Sequence, residues 1–381
     1  MNLRKIDTSL LSADAYASGQ KKVNCLVSAR AFGELKKILQ EKKIEILNEY
    51  LFIKSFFVSA TREEIIFLSR LASVKFISAN SSALALMNVA RRVLNMPQTE
   101  LSGEGVGAAF IDTGIAPHTD FCLGKRRIKK FVDLVGEKTK PYDDNGHGTF
   151  VAGVCAGSGA GSGGRFKGFA PRCDIYALKA LDKNGEAYSN KILSAMEWIY
   201  DNHKKENIRV VCMSFGSEPL GFNDPIMNGA EELWKSGVIV VAAAGNSGPE
   251  YQSIKSPGVS RKLITVGGMD DNRFDDNSFS HSLFEIADFS SRGPSFRGFK
   301  PDVVAPAVDI TSCGLNQPYC KLSGTSVATP MIAGAMCLLC ERYPTITPDE
   351  AKRRLLSVCK PICLNKNHEG FGYPDLTKFF N

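Results

Sequence analysis

Three short segments of the chain each place a chemically competent side chain among glycines and other small residues. They contain Asp112 in FIDTGIAPHTDF, His147 in DDNGHGTFVAGV and Ser326 in LSGTSVATPMIAGAMCLL. Small neighbours allow the backbone to pack closely around a reactive group. A serine hydroxyl is a weak nucleophile unless an imidazole takes its proton and a carboxylate orients that imidazole. The three residue types therefore predict nucleophilic catalysis, with Ser326 as nucleophile, His147 as its base and Asp112 as the orienting group.

The other histidines of the chain are weaker candidates for the base. His118 follows Asp112 by six residues and is expected in a surface loop, whereas His203 falls in a charged helix. His281 and His368 lie in polar loops. A single His-Gly or Gly-Thr-Ser is usually structural, so the prediction depends on three motifs occurring together in the chain order Asp, His, Ser, which is one of the orders known for this chemistry.

The elements that must position these residues alternate between strands and helices. Near-continuous apolar runs begin at Val106 and recur at 173–181, 208–217, 237–248 and 262–269. Helical stretches at 189–203 and 224–237 separate several of them. This alternation predicts an α/β fold with a parallel sheet covered by helices on both faces. Such sheets bind ligands at the carboxyl ends of their strands. The residues expected at that edge are Asp112, Ser214 and Asn246.

Residues 1–86 have a different pattern. A strand is predicted at 23–28, a helix at 31–43, two strands within 45–61 joined by a turn near Asn48, and another strand at 74–80. A helix at 61–72 opens with a Thr-x-x-Glu capping box. The order β-α-β-β-α-β is that of a small ferredoxin-like α+β module. The predicted boundaries are therefore 1–86 for this module and 87–381 for the large domain.

The bulk composition excludes several classes of partner. The chain has 381 residues, of which 44% are hydrophobic and 23% charged, as expected for a globular protein with a large core. Its formal charge is +7, but the basic residues are scattered among nearly as many acidic ones. No basic tract with interleaved aromatic residues predicts nucleic-acid binding. No apolar run is long enough to span a bilayer, so a membrane partner is not expected either.

The sequence also suggests a compartment. The first twenty residues, MNLRKIDTSLLSADAYASGQ, lack the apolar core of a secretory signal peptide. The eleven cysteines form an odd set without a disulfide framework and are predicted to be reduced thiols. Both observations predict a cytoplasmic protein. A chain from which a signal peptide had been removed would be secreted instead.

The three motifs closely resemble the catalytic segments of the subtilisin family of serine proteases, the subtilases. The resemblance spans about 106–375 and includes AAAGNSG (242–248), FSSRGP (289–294), KPDVVAPAVDI (300–310) and GFGYPD (370–375). It implies a subtilisin-like fold and a serine endopeptidase. It also makes Asn246 the side-chain donor of the oxyanion hole, beside the backbone N–H of Ser326.

The resemblance further implies where substrate binds and how the chain matures. Substrate would pair as an extended strand, and small pocket walls without an acid suggest a large apolar P1 side chain. The module at 1–86 looks like a subtilase propeptide that assists folding and then inhibits, with self-cleavage between Leu86 and Met87. An unrelated regulatory or partner-binding module remains the alternative. The substrate-binding residues implied are Ser214, Phe215, Gly216, Gly185, Tyr188, Ala243, Ala244 and Gly245, although Phe215 and Tyr188 could instead be ordinary core residues.

Three possible metal sites are not assigned. Asp120 lies where relatives have a calcium ligand, but the glycine- and serine-rich loop AGSGAGSGG (156–164) offers few other hard donors. A calcium site near the acidic segment 269–277 is an alternative to a solvated loop there. Cys337 and Cys340 fall in an apolar run predicted as a buried helix, where cysteine behaves as a small hydrophobic residue. No metal ligand and no catalytic cofactor are therefore predicted.

Two other functions stay open at this point. The chain could be a catalytically silent subtilase that acts as a binding or regulatory protein, although the intact Asp112, His147, Asn246 and Ser326 argue against it. It could also be an esterase or ligase on the same scaffold. The chain order of the motifs and the GTS sequence, in place of a Gly-x-Ser-x-Gly elbow, disfavour the usual fold for that chemistry. The predicted partners are polypeptide substrates and the chain's own propeptide.

Overall fold

The N-terminal part of the structure is a four-stranded antiparallel sheet with two helices. The structure, a computed structural model, describes residues 5–7, 10, 22–79, 82–85 (backbone only), 91–122, 126–272 and 280–380. The strand order is β2-β3-β1-β4, and every neighbouring pair is antiparallel. This is the predicted ferredoxin-like arrangement. Its elements are β1 Val23–Ala29, α1 Phe32–Glu41, β2 Glu45–Tyr50, β3 Ser55–Ala60, α2 Arg62–Arg70 and β4 Val74–Ala79.

The predicted turn near Asn48 is wrong. Asn48 lies inside β2, where the register against β3 shifts between Ile46 and Asn48. The chain reverses later, in a 3-10 turn at Leu51–Ile53 that ends with Lys54 in the left-handed region at φ 50°. A bulge in β2 accommodates one residue more than β3 has opposite it, so the strand continues past the polar Asn48.

The predicted start of α2 is confirmed by its capping bonds. The Thr61 hydroxyl accepts from the N–H of Glu64 at 3.2 Å, and a Glu64 carboxylate oxygen accepts from the N–H of Thr61 at 2.7 Å. These reciprocal bonds satisfy two N–H groups that the first turn of a helix leaves without partners. The sequence motif therefore marks the helix start correctly.

The larger part of the chain is built on an eight-stranded, mainly parallel sheet. Its path is β14-β13-β12-β10-β6-β8-β7, and β15 pairs with β13. The antiparallel pair is β13 with β14. Three central strands are β6 Gly107–Asp112, β10 Ile208–Met213 and β12 Ile239–Ala243, and they are almost entirely buried. The other strands of this sheet are β7 Ile128–Asp133, β8 Asp174–Lys179, β13 Ile264–Asp270, β14 Glu285–Ile286 and β15 Val303–Pro306.

Helices pack on the sheet in two groups. The helices α4 His147–Ala156 and α7 Thr325–Arg342 pack on each other and on β6, and α7 also crosses β10, β12 and β13. The helices α5 Ser189–Asn202 and α6 Pro225–Lys235 form a second pair on β6 and β12. The predicted covered parallel sheet is confirmed. Smaller elements are α3 Thr119–Cys122, β5 Ser82–Ala85, β9 Glu186–Tyr188, β11 Phe215–Gly216, β16 Ile310–Cys313, β17 Tyr319–Leu322, α8 Pro348–Ser357, β18 Cys359–Lys360, α9 Lys366–Glu369 and β19 Tyr373–Pro374.

The longest apolar helix is part of the core. Helix α7 is buried over nearly its whole length, from Thr325 to Cys340, between the sheet and α4. Within the described ranges, no helix combines the length and the hydropathy that crossing a bilayer demands. All eleven cysteines are free thiols, in agreement with the prediction.

Candidate active site

The central pair of the site joins the end of a strand to the start of a helix. Asp112 is the last residue of β6, and His147 is the first residue of α4. The Nδ1 of His147 and the Oδ1 of Asp112 form a short hydrogen bond, and each residue is only 2% exposed. Gly148, the second residue of α4, packs closely on the segment that follows β6, since any side chain there would collide with the carbonyl oxygen of Gly114. A carboxylate at Nδ1 fixes the imidazole tautomer whose Nε2 can accept a proton.

A second carboxylate, which the sequence reasoning missed, holds the start of α4. Asp143 Oδ2 accepts from the N–H and the hydroxyl of Thr149 at 2.9 and 2.7 Å. Its Oδ1 accepts from the N–H of Gly146 at 2.8 Å and from the hydroxyl of Thr113 at 2.9 Å. Thr113 Oγ1 in turn accepts from the N–H of Gly148 at 2.9 Å. An acidic residue before a helix caps its free N–H groups, and the acidic pair before NGHG was the available signal.

A fully buried lysine anchors the strand end that carries Asp112. Lys179 of β8 lies opposite Asp112 in the register of the sheet. Its Nζ donates to the carbonyl oxygens of Thr113 and Leu181 at 2.6 and 3.0 Å, and to Asp144 Oδ1 at 2.6 Å. These three acceptors satisfy the donors of a buried ammonium. The segment after Asp112 is thereby tied to the neighbouring strand.

Ser326 is the second residue of α7 and is completely buried. Its Oγ has no hydrogen-bond partner among the residues that the structure describes. Its carbonyl oxygen accepts from the Ser214 hydroxyl at 2.7 Å. Because the first N–H groups of a helix lack intrahelical partners, the N–H of Ser326 is a donor beside its own hydroxyl. The residue thus presents an unpartnered hydroxyl and a backbone N–H at the buried start of α7.

Asn246 is held by Thr325, the residue before Ser326. Its Oδ1 accepts from the N–H and from the hydroxyl of Thr325, both at 3.0 Å. The same hydroxyl accepts from the N–H of Gly245 at 3.1 Å. With the amide oxygen occupied by Thr325, the amide's two N–H groups remain as donors. Thr325 is a second residue that the sequence reasoning did not single out.

The cleft already holds a short strand of the chain itself. The backbone of β5 lies between β11 and β9 and is antiparallel to both. Leu84 is opposite Gly216 on one side and Glu186 on the other. The residues predicted to flank a substrate on these two strands, Phe215, Gly216 and Tyr188, therefore flank this segment. Antiparallel pairing on both sides is how an extended peptide binds a sheet edge.

A lysine lies against one predicted pocket wall and one residue predicted to flank the substrate. A Cβ added at Gly216 would lie 2.6 Å from Lys255 Cβ, and one added at Gly245 would lie 2.5 Å from Lys255 Cγ. Gly245 has φ +108°, which disfavours any side chain there. The Lys255 N–H donates to Ala244 O at 2.8 Å, and its ammonium pairs with the exposed Glu218. The stem of Lys255 thus lies beside the predicted small-walled pocket, which no sequence motif indicated.

The carboxylate of Asp120 is surrounded by donors. The N–H groups of Gly159 and Gly161 donate to it at 3.0 and 2.9 Å, and the hydroxyl of Tyr319 donates at 2.9 Å. The glycine-rich loop therefore presents N–H groups, rather than the oxygen atoms that calcium requires, to this carboxylate.

His118 is not the surface-loop residue that was expected. Its side chain is 10% exposed and packs edge-on against Tyr319 and Phe121. Its Nε2 contacts Pro318 O at 2.7 Å. The short helix α3 and the strand β17 enclose the ring, because the aromatic residues on both sides bury it.

The other predicted site residues fall around the same cleft. Phe215 is fully buried and belongs to the main core, whereas Tyr188 is 62% exposed. Ala243 and Ala244 are buried at the end of β12. Gly185 lies in the turn before β9 at φ +80°. The predicted junction residues Leu86 and Met87 lie outside the described residues.

Comparisons with known proteins agree on one family. The profile of the subtilase family matches residues 103–373. Serine protease AprX of Bacillus subtilis is 40% identical over 316 residues, which cover 76% of this chain and 70% of that protein. A thermostable alkaline protease of Halalkalibacterium halodurans is 28% identical and aligns with 93% of this chain and 91% of its own length.

The fold also matches a solved structure. The crystal structure of fervidolysin from Fervidobacterium pennivorans, described as a keratinolytic enzyme related to subtilisin, superposes with a TM-score of 0.74. The match covers 94% of this chain but only 61% of that longer chain, at 19% identity. The subtilisin-like fold predicted from the sequence is therefore confirmed.

Proposed function

Since the chain belongs to the subtilase family of serine proteases, we propose that it is an endopeptidase whose catalytic residues are Ser326, His147, Asp112 and Asn246. The observation that carries this assignment is the buried hydrogen bond between His147 Nδ1 and Asp112 Oδ1. A carboxylate fixed on one imidazole nitrogen is what a serine-activating base requires. The helix that begins at His147 packs against the helix that carries Ser326.

The proposed reaction proceeds through an acyl-enzyme. Ser326 Oγ attacks the peptide carbonyl carbon while His147 Nε2 takes the hydroxyl proton, and Asp112 stabilises the imidazolium. The N–H of Ser326 and an amide N–H of Asn246 stabilise the oxyanion. His147 then donates its proton to the leaving amine as the C–N bond breaks. Water repeats the sequence on the ester and regenerates the hydroxyl.

The proposed substrate is a polypeptide bound as an extended strand between β11 and β9. The residues proposed to contact it are Ser214, Phe215, Gly216, Gly185, Tyr188, Ala243, Ala244 and Gly245. The pairing of β5 between the same two strands supports this position. Small walls at Ala244 and Gly245 favour a large apolar P1 side chain.

We further propose that residues 1–86 are a propeptide and inhibitor of a catalytic domain at 87–381, with cleavage between Leu86 and Met87. The strand β5 in the cleft supports the inhibitory role. The buried Tyr50 also joins the module to α5, because its hydroxyl donates to Asn190 O at 2.8 Å. A self-processing zymogen needs such a tail to reach its own nucleophile.

The reaction as proposed needs no cofactor, and we assign no calcium to Asp120. A cytoplasmic location remains a proposal that follows from the N-terminal sequence and the free thiols. Localisation of a tagged full-length chain by cell fractionation tests it.

Two measurements test the proposed function. Wild type is expected to react with a fluorophosphonate probe and to cleave a mixed peptide library, while Ser326→Ala does neither. Intact mass should show cleavage after Leu86 in wild type and an uncut chain in Ser326→Ala. No labelling of correctly folded wild type would instead favour a catalytically silent subtilase. Identical masses for the two proteins would refute self-processing alone.

A further inference from the structure

Three cysteines from distant parts of the chain meet in the core, away from the proposed catalytic residues. Cys155 lies in α4, Cys337 lies in α7, and Cys173 directly precedes β8. Their Sγ atoms all lie within 4.8 Å of one another, and all three residues are 0% exposed. The proposed reaction uses none of these thiols.

The spacing of the sulfur atoms suits a single ion. Any three points no more than 4.8 Å apart have a common centre at most about 2.8 Å from each (4.8 Å divided by √3). Bonds from soft metal ions to thiolates are about 2.3 Å long. A contraction of a few tenths of an ångström at each sulfur would therefore bring all three into bonding distance.

The surroundings of the cluster also suit a charged metal site. Arg127 is itself buried and donates to the carbonyl oxygen of Cys173 at 3.3 Å. Its cation lies beside the cluster and offsets part of the negative charge of thiolate ligands. The cluster thus offers three thiols in a water-excluded environment.

The number of ligands selects the type of metal. Within the described part of the chain, the group consists of these three sulfur atoms. Structural zinc is almost always four-coordinate, and the complete burial of the cluster leaves no access for a solvent ligand. Soft thiolates select Cu(I), zinc and iron–sulfur clusters, and among these the monovalent d10 ion Cu(I) accepts trigonal coordination by three sulfur atoms.

We propose that Cys155, Cys173 and Cys337 form a three-coordinate thiolate site for Cu(I). Three Cu–S bonds form, the S–H bonds of the three cysteines are lost, and up to about three protons pass to solvent for each ion bound. No electron is transferred. The ion links α4 to α7, so it stabilises the packing of the two helices that begin beside His147 and Ser326. This site does not depend on the proposed peptidase activity.

The test uses the full chain carrying Ser326→Ala, so that proteolysis plays no part. The protein is produced in cells grown with added copper and is also titrated anaerobically with Cu(I) in competition with a chromophoric Cu(I) chelator. We expect one equivalent to be retained, with release of up to about three protons and a rise in Tm of several degrees. X-ray absorption should show three sulfur neighbours and no nitrogen.

Matched variants locate the ion. Cys337→Ala should weaken Cu(I) binding at least about tenfold, because a thiolate ligand is lost. Cys340→Ala removes another buried thiol of the same helix and should bind as the parent does. Circular dichroism of the copper-free variants checks their folding. Any one of three results would overturn the proposal. The parent retains no copper after either loading route, the two variants bind Cu(I) equally, or X-ray absorption shows fewer than three sulfur neighbours. The absorption measurement needs only the parent, so it decides the question even if Cys337→Ala fails to fold.

Discussion

The amide oxygen of Asn246 accepts two hydrogen bonds from Thr325, one from the backbone N–H and one from the hydroxyl, each 3.0 Å long. Thr325 directly precedes the proposed nucleophile. The donor side chain of the proposed oxyanion hole is therefore fixed by the same helix start that carries Ser326. A single backbone segment therefore positions both Ser326, the proposed nucleophile, and Asn246, the proposed oxyanion donor.

Removal of the Thr325 hydroxyl should lower turnover. Thr325→Val keeps the side-chain volume but loses the hydroxyl's hydrogen bond to Asn246, while the bond from the backbone N–H remains. The kcat should therefore fall about tenfold with little change in KM, as expected for misplaced transition-state donors. Asn246→Ala should cost about 10²–10³ in kcat, a magnitude measured for the corresponding donor of a subtilisin. Thr329→Val is the control, because its hydroxyl donates within α7, to Thr325 O. Equal losses in both threonine variants would contradict the role of the Asn246 contact.

Asp143 should support both stability and catalysis. Asp143→Asn places an amide N–H against the N–H groups of the α4 start, so we expect a loss of about 1–3 kcal/mol in the free energy of unfolding. The kcat should fall as well, because His147 opens that helix. Denaturant unfolding and peptide hydrolysis measure the two effects. Glu104→Gln removes a charge from an exposed pair with Arg172 and should change neither.

Lys255 should influence the choice of P1 side chain. Its stem lies against Gly216 and Gly245, and Glu218, its ionic partner, is largely solvent-exposed. An acidic P1 side chain can therefore replace Glu218 at little cost. Lys255→Met should lower kcat/KM for peptides with P1 Glu about tenfold relative to peptides with P1 Phe. A tenfold change is the effect expected from the loss of one ion pair beside a pocket.

A matched set of peptides that differ only at P1 makes this measurement. Glu218→Gln frees the ammonium and should raise the relative rate for P1 Glu. An unchanged Glu-to-Phe ratio in Lys255→Met would show that the ammonium does not reach the P1 side chain. Hydrolysis of the Phe peptide by every variant confirms that the site itself is intact.

Calcium should not act through Asp120. Its carboxylate already accepts hydrogen bonds from Gly159, Gly161 and Tyr319. Tyr319→Phe should therefore destabilise the protein by about 1.5–3 kcal/mol, the cost of one lost hydrogen bond to a charged group. Any change of Tm on addition of calcium should be the same in wild type and in Asp120→Asn. A calcium response that disappears in Asp120→Asn would contradict this interpretation of the loop.

The N-terminal module should bind more tightly at low pH. Burial raises the pKa of Glu197 to about 7, Asp201 adds to the rise, and the N–H of Leu51, a residue of the module, opposes it. Once the module dissociates, the carboxyl should return towards its ordinary value of 4.5. The bound state thus retains a proton that the separated state loses. Affinity should be greatest below pH 4.5, fall between 4.5 and about 7, and stay level above that range.

Size-exclusion chromatography of the processed protein across pH 4.5 to 8 tests this dependence. The dissociation constant should change by at most about tenfold per pH unit, the limit for one proton. Glu197→Gln cannot ionise and should flatten the curve at the tight-binding level. If the affinity of wild type for the module had the same pH dependence as that of Glu197→Gln, another group, or no group, would control release of the module.

Much of the proposed site followed from the sequence because its residues lie in contiguous motifs. Asp112, His147 and Ser326 each stand in a segment whose small residues are required by close backbone packing, and Asn246 lies in a fourth. Strand and helix periodicity placed the parallel sheet, and the capping box at Thr61 gave the start of α2. These are local signals, since each depends on neighbours within a few positions.

The remaining features depend on contacts between distant residues. Lys255 contacts Gly216 and Gly245 only because the loop after Asn246 folds back along Gly216, which lies 39 positions before Lys255 in the chain. Cys155, Cys173 and Cys337 meet only when α4 and α7 pack together. Such contacts cannot be predicted from the spacing of residues in the sequence. The packing of the elements, rather than local propensity, decides which side chains become neighbours. The sequence alone therefore determined the chemistry of the motifs, and the tertiary structure decided what surrounds them.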